Sequence, residues 1–533
     1  MTKNISQIIK SFSKKDWLCL SIISLVLIAI VSITYIFGLT SSDADHIFNG
    51  RRATSPGDTS VYFSYINQAK QGDGFFINQF TSEKDELKVF NIFWLMAGKF
   101  AAVFRLSAPA TMLALKILLA PIFVLFCYVF LSLFFENKRV KRLALILISF
   151  SSGVGLWFGF LNGEQNTFLK APIDLWVTES NFFTSFLHSP HFILAWTLLL
   201  IVFSFFILAV RNNNWKQSFL AGLTALFLFQ FHPYNFLTVY AVCLTFTIYE
   251  IFLKKTWRPS VHFLLLTVVS VPSVIYHFFT LSDTLIAARS AQNITLTPPL
   301  IYVALGFGIF FPLAIWGVWK IFKNNMEDKY IFLVIWLLVG LLLIYFPGFQ
   351  FQRRLLLGLQ IPIIMLAFIG LGNFVEKTAD KIKRSKLSAM IAVYLAMIFI
   401  LPTSFYHLAS DFLYYFNHEP LFYQTSEQKK IIEAIEADNG PVNIIICEDI
   451  PFANTLPIYL PNKIFLAHLH ETTFFENKKS LQANFFNQAM TPLDAENFIR
   501  NNFIEYVISK KPLPYNFLEP IIGGEKYFLY RVN

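Results

Sequence analysis

The chain has 533 residues and a mass of 61.4 kDa; 55% of the residues are hydrophobic, 17% aromatic and only 14% charged, and its mean hydropathy is +0.54. Soluble globular chains carry roughly a quarter charged residues, so this one lacks the polar surface to stay in water and must lie mostly in lipid. Four Cys, 22 Gly and 23 Pro against 62 Phe exclude disulfide-stapled, collagen-like and disordered classes, and the net charge of +10 acquires meaning only through its placement.

Crossing about 30 Å of hydrocarbon takes roughly 17 to 25 apolar residues, and about eleven stretches are candidates, some of them short or broken. In chain order they are residues 17–39, 108–135, 143–160, 191–210, 219–231, 236–253, 261–279, 300–319, 331–346, 355–371 and 387–408. The first run is long and lacks a small-residue cleavage site, so a membrane anchor is expected rather than a cleaved signal peptide. Lys and Arg collect on one side: Lys3, Lys10, Lys14 and Lys15, then Lys138, Arg139, Lys141 and Arg142, Arg211 and Lys216, Lys254, Lys255 and Arg258, Lys320, Lys323 and Lys329, and finally Lys377, Lys381, Lys383, Arg384 and Lys386. Retention of basic loops makes that side cytoplasmic. The N-terminus is then inside, and residues 40–107 and 423–533 face the exterior. The basic balance is topology, and no nucleic-acid partner is expected.

The C-terminal segment changes period. Residues 426–437 have helical spacing, 442–447 (VNIIIC) form a continuous apolar run of the kind a buried strand shows, and further strands are predicted at 463–469, 504–509 and 526–532, with helices at 478–487 and 493–501. The expected fold class is a polytopic α-helical membrane protein with a small C-terminal α/β extracytoplasmic domain. Its domains are residues 1–421, including the outer loop 40–107, and residues 422–533. No glycine-rich phosphate loop follows the first strand of that domain.

Polar groups at membrane depth are costly, so their positions are functional clues. On the expected outer side lie Asp58, in Pro56-Gly57-Asp58-Thr59, with Tyr62 one helical turn on; His188 and His191; His232, Tyr234 and Asn235; and Arg353 with Arg354. A base, a cation for an anionic leaving group and neutral donors for a hydroxyl-rich substrate are what an outward-opening catalytic cavity needs. Each also has a plainer reading. An aspartate after Pro-Gly serves as an N-cap, an arginine pair at a span end anchors to lipid phosphates, and His-Pro marks a turn. His188 and His191 at i, i+3 could bind metal, but no third ligand is evident. Asp43 and Asp45 are weak candidates for holding a divalent cation, Mg²⁺ or Mn²⁺, with substrate phosphates.

The arrangement resembles the GT-C superfamily of membrane glycosyltransferases, which includes protein O-mannosyltransferases, the aminoarabinose transferase of lipid A and oligosaccharyltransferase catalytic subunits. The local match is Asp58-Thr59-Ser60-Val61-Tyr62 followed by Ala69 and Gly72, with Thr59 where an acid is common and about sixteen extra residues after the first span. The resemblance covers residues 17–408 and leaves the catalytic aspartate between Asp58 and the Asp43/Asp45 pair. It implies transfer of a sugar from a polyprenyl-phosphate-linked donor, held in membrane lipid, to an acceptor glycan, lipid or protein on the outer face. Asp58 would act as base, Arg353 and Arg354 would hold the lipid phosphate, and His188, His191, His232, Tyr234, Asn235 and Tyr62 would line the substrate. Asp58 and the arginine pair should then share one pocket. A lipid transporter or flippase and a noncatalytic assembly protein are the competing classes. In the tail, Ala467-His468-Leu469-His470-Glu471-Thr472 and Lys478 form a motif with no chemistry attached.

Overall fold

The computed structural model describes residues 4–83, 86–159, 170–324, 327–372, 378, 385–438 and 443–533. The basic residues Lys3, Lys377, Lys381, Lys383 and Arg384, and residue 442 of the first predicted strand, lie outside them. Each of the eleven expected stretches contains helix, with described breaks at residues 151–154 in the third, 308–309 in the eighth, 357–359 in the tenth and 400–401 in the eleventh. Six helical segments are long and apolar enough to cross a membrane by themselves: Lys14–Thr40, Ala108–Leu131, Lys138–Gly159, Pro190–Asn212, Asn235–Lys254 and Arg258–Thr280. The chain is an integral membrane protein.

The other five stretches are shorter or bent. Trp215–Phe231, Ile331–Ile344 and Gln360–Leu371 have 17, 14 and 12 residues. At 1.5 Å per residue the last two reach about 21 and 18 Å, less than the hydrocarbon thickness. Leu300–Phe307 and Phe310–Lys323 meet at 93°, and Met390–Phe399 and Pro402–Phe416 at 73°. Gly308 makes the first bend with φ +58°, a conformation that a side chain resists, and Pro402 opens the helix after the second.

The chain divides into two compact units. The first comprises Met1–Ile33, Leu113–His277 and Thr295–Ser410. Its Pro190–Asn212 helix is apolar on all sides and 78% buried, whereas only 22% of Arg258–Thr280 is buried, leaving Leu264 and Val268 exposed as a lipid-facing helix would. Phe310–Lys323 and Gln360–Leu371 touch backbone to backbone, since a Cβ on Gly317 would fall 2.0 Å from the Leu366 carbonyl oxygen.

The second unit comprises Thr34–Met112, Phe278–Ile294 and Asp411–Asn533. It holds a two-stranded antiparallel pair, β1 (His46–Phe48) with β2 (Tyr423–Thr425), and a five-stranded sheet. The sheet contains β3 (Ile444–Cys447), β4 (Lys463–Ile464), β5 (Ile504–Ser509), β6 (Leu518–Gly523) and β7 (Phe528–Val532), in the order β4-β3-β5-β7-β6. β4, β3 and β5 run parallel, and β7 and β6 add antiparallel. The continuous apolar run is explained by burial on both faces: Ile445 and Cys447 join Ile431, Ile435 and Leu529, while Ile444 and Ile446 join Phe485, Phe498 and Ile499. Burying each such side chain contributes about 2 kcal/mol.

Two details depart from the predicted pattern. β4 has only two residues; Ile464 N–H donates to Gln79 O and Phe465 N–H to Ile445 O of β3, each at 2.9 Å, before the chain turns to Thr81, which Leu466 bridges. β6 was not predicted, since Pro520 and a mostly exposed face give it no apolar alternation, which suits an edge strand. The helix Pro56–Gln71 packs into the same core through Val61, and this seats Asp58 and Tyr62.

Candidate functional site

In the second unit, Pro56 opens the helix Pro56–Gln71, Asp58 lies in its first turn, and Ser55 is the N-cap at φ +50° without a side-chain cap. Asp58 is therefore not the capping residue that its Pro-Gly context also allows. A first-turn carboxylate is favoured by the helix dipole and stays available for chemistry. Its side chain is 41% exposed, and Oδ1 lies 3.1 Å from Nε2 of His468, whose own side chain is 8% exposed. Gly57 permits that approach, because a Cβ there would meet the His468 ring at 3.1 Å.

His468 is held from behind. The His470 backbone N–H donates to its Nδ1 at 3.2 Å, so the neutral ring carries its proton on Nε2, facing Asp58. Thr472 N–H donates to His468 O at 2.8 Å, and Thr472 Oγ1 donates to Phe80 O at 2.6 Å. Glu471 Oε2 lies 3.4 Å from Arg289 Nε, and Arg289 also pairs with Glu86. Burial works against charging His468. The hydrogen bond and charge of Asp58, then the charge of Glu471, outweigh it and hold the ring above its ordinary pKa. His468 is the functional candidate that residue-type reasoning passed over. Its only signal was the His468-to-Thr472 motif, whose nearest large apolar neighbours gave no hint of a carboxylate.

Tyr62 lies one turn beyond Asp58 and stacks on Trp94, ring centroids 4.7 Å apart and 17° from parallel. Asp43 accepts from the His46 ring at 3.0 Å, and Asp45 accepts from Ser426 Oγ at 3.0 Å.

In the first unit, the chain breaks at His188-Ser189-Pro190-His191 and His232-Pro233-Tyr234-Asn235 bring their polar groups together. His188 ends one helix, and His191 starts the next with Nδ1 2.7 Å from Ser189 Oγ. The His191 and His232 rings are 6.3 Å apart, as are those of His232 and Tyr234. The Arg354 guanidinium lies 4.9 Å above the Tyr234 ring and that of Arg353 lies 4.8 Å above Trp176. Both arginines ride on the short helix Gln352–Leu356, pinned by Arg353 N–H to Thr295 O at 3.0 Å and by Gln352 Oε1 accepting from Thr297 N–H at 3.1 Å.

The imidazoles here are nearly dry: His188, His191 and His232 are 2%, 7% and 6% exposed. Burial, helped by the Arg354 charge, pushes His232 down to about 3, so it is a neutral ring. Its Nδ1 and both side-chain polar atoms of Asn235 are buried without a hydrogen-bond partner. Buried orphan groups of this kind suit a hydroxyl-rich ligand. Asp174, two residues before Trp176, is fully buried and raised to about 7 by that burial, and it accepts from Gly155 N–H at 3.2 Å.

No protein-family profile matches the chain, and no curated protein matches it either. Solved structures do. The apo form of the Archaeoglobus fulgidus oligosaccharyltransferase aligns with a TM-score of 0.55 at 12% identity, over 93% of this chain and 69% of that one. The archaeal oligosaccharyltransferase AglB from the same organism, in complex with an inhibitory peptide and a dolichol-phosphate, gives 0.54 at 10% identity over 91% and 69%. The A. fulgidus oligosaccharyltransferase complex with Zn and sulfate gives 0.51 at 11% over 90% and 68%. At these identities the likeness is one of fold.

Proposed function

We propose that the protein is an inverting membrane glycosyltransferase, which moves a sugar from a polyprenyl-phosphate-linked donor to an acceptor glycan, lipid or protein on the extracytoplasmic face. The observation that carries this reading is the Asp58–His468 contact: a half-exposed carboxylate at a helix start, oriented by a buried imidazole. The GT-C fold supports it, as does the dolichol-phosphate held by a protein of that fold.

In the proposed reaction Asp58 accepts the proton of the acceptor O–H or N–H as that atom bonds to the anomeric carbon. The bond from the anomeric carbon to the phosphate oxygen breaks, and its electron pair leaves with the lipid phosphate, whose charge Arg353 and Arg354 balance. His188, His191, His232, Tyr234 and Asn235 bind sugar hydroxyls or phosphate, and Tyr62 borders the acceptor. His468 keeps the Asp58 carboxylate pointed and is a positioning residue. A divalent-cation requirement, Mg²⁺ or Mn²⁺, belongs to the proposal, supported by the neighbour that binds Zn. So do a cytoplasmic N-terminus, a bacterial plasma membrane and residues 422–533 as an extracytoplasmic domain.

The test is release of polyprenyl phosphate from a panel of labelled polyprenyl-phosphate sugars by the purified full chain. Turnover of one donor, lost in Asp58→Asn, is the expected result. Equal turnover in wild type and variant would remove Asp58 from the chemistry, and movement of an intact lipid-linked sugar between leaflets would favour a flippase.

A further inference from the structure

We propose that Asp43, His46 and His418 bind one Zn²⁺-class transition-metal ion, which clips the start of the first hydrophilic segment to the chain just before β2. The three side chains each offer one ligand atom, and these atoms lie within 4.8 Å of one another. Two imidazoles and a carboxylate form a nitrogen-rich donor set that suits Zn²⁺, Co²⁺ or Ni²⁺, whereas Mg²⁺ and Ca²⁺ prefer oxygens alone. Asp45 is not in the group.

The surroundings of the two rings resemble those of metal-bound histidines. A ligating imidazole gives its second nitrogen to a carboxylate or a backbone carbonyl, which fixes the tautomer and raises its basicity. His418 has Nε2 at 2.5 Å from the Ser41 carbonyl oxygen, which leaves Nδ1 as its ligand atom. His46 Nδ1 lies 3.0 and 3.1 Å from the Asp43 carboxylate oxygens, close to the spacing of two ligand atoms on one ion. The rings stack with centroids 4.7 Å apart and 27° from parallel, so both imidazoles stand side by side at the same place. Zn–N and Zn–O bonds of about 2.0–2.2 Å place ligand atoms some 3.3 Å apart, so binding needs only a small side-chain closure. Asp43 and His46 are 52% and 38% exposed, leaving room for that movement and for a water as fourth ligand.

The position gives the ion a purpose. His46 is the first residue of β1 and pairs with Thr425 of β2, and the Tyr423 hydroxyl donates to Gly38 O at 3.0 Å. A two-stranded pair is marginal alone, and a metal bridging its two flanks would stabilise it by mass action.

The experiment is Zn²⁺ titration of the chelator-stripped full chain in detergent, by calorimetry and by thermal unfolding. One Zn²⁺ per chain, a rise in Tm reversed by chelator, and no rise with Mg²⁺ are expected. His46→Gln and His418→Gln should each weaken binding by about 100-fold and remove the Tm response, while Asp45→Asn and Asp58→Asn keep both. Because Asp58→Asn is inactive under the proposed function, retention there separates the two claims. Co²⁺ gives a second readout in any variant of low stability: a visible d–d spectrum present in wild type and absent in the histidine variants. Wild type that binds no Zn²⁺ beyond the His46→Gln/His418→Gln double variant overturns the proposal.

Discussion

The two units handle their polar groups in opposite ways. In the second, Asp58 stays 41% exposed and its carboxylate holds the buried partner His468 above its ordinary pKa. In the first, His188, His191 and His232 are desolvated, and His232 is driven down to about 3, so its ring is neutral. One region pairs a half-exposed carboxylate with an imidazole, and the other buries imidazoles beside a guanidinium. The contrast shows how the same residue type is assigned its work by solvent and by the sign of the nearest charge.

The sharpest way to break that contrast is Asp58→Asn. Loss of transfer by about 10²- to 10⁴-fold is expected, measured as lipid-phosphate release, with a Tm change no larger than that of His468→Gln, and near-normal turnover would leave the second unit without a proton acceptor. Next in size, Arg354→Ala should raise KM for the lipid-linked donor or lower kcat by about tenfold. Arg354→Lys should recover only part, since the planar group stacked on Tyr234 is lost, and Lys323→Ala should do nothing.

A smaller effect is expected from His468→Gln: a severalfold fall in kcat at constant KM, with a displaced pH profile. The sign of its stability effect follows from the raised pKa. The stabilisation is fully present below the unfolded value of about 6.5 and is lost as pH rises through the folded one, so the Tm gap between wild type and variant should narrow from pH 6 to pH 9. A gap independent of pH would mean that His468 only fills space. Smallest in reach, Gly308→Ala should cost about 1–2 kcal/mol of stability through its φ of +58°, read by unfolding in detergent, without moving KM.

Much of the fold is legible in the residues taken alone. Apolar run length gives the helices, VNIIIC gives the two-sided strand, and Thr425 with Gln428 forms the capping box that starts the helix Ser426–Ala437. Asp58 and Tyr62 on one helical turn are equally plain. β6 was not, because an exposed edge leaves no burial pattern to detect, and neither were the bends at Gly308 and Pro402, since both lie inside apolar runs that read as continuous.

What the chain determined by itself was therefore membrane residence, the helical stretches and the types of chemistry available. Tertiary structure alone decided the pairings: His468 with Asp58, His46 with His418, and Arg354 over Tyr234. Periodicity records which face of an element is buried, a local property, whereas hydrogen bonds and ring contacts join residues hundreds of positions apart whose meeting depends on how every intervening element packs.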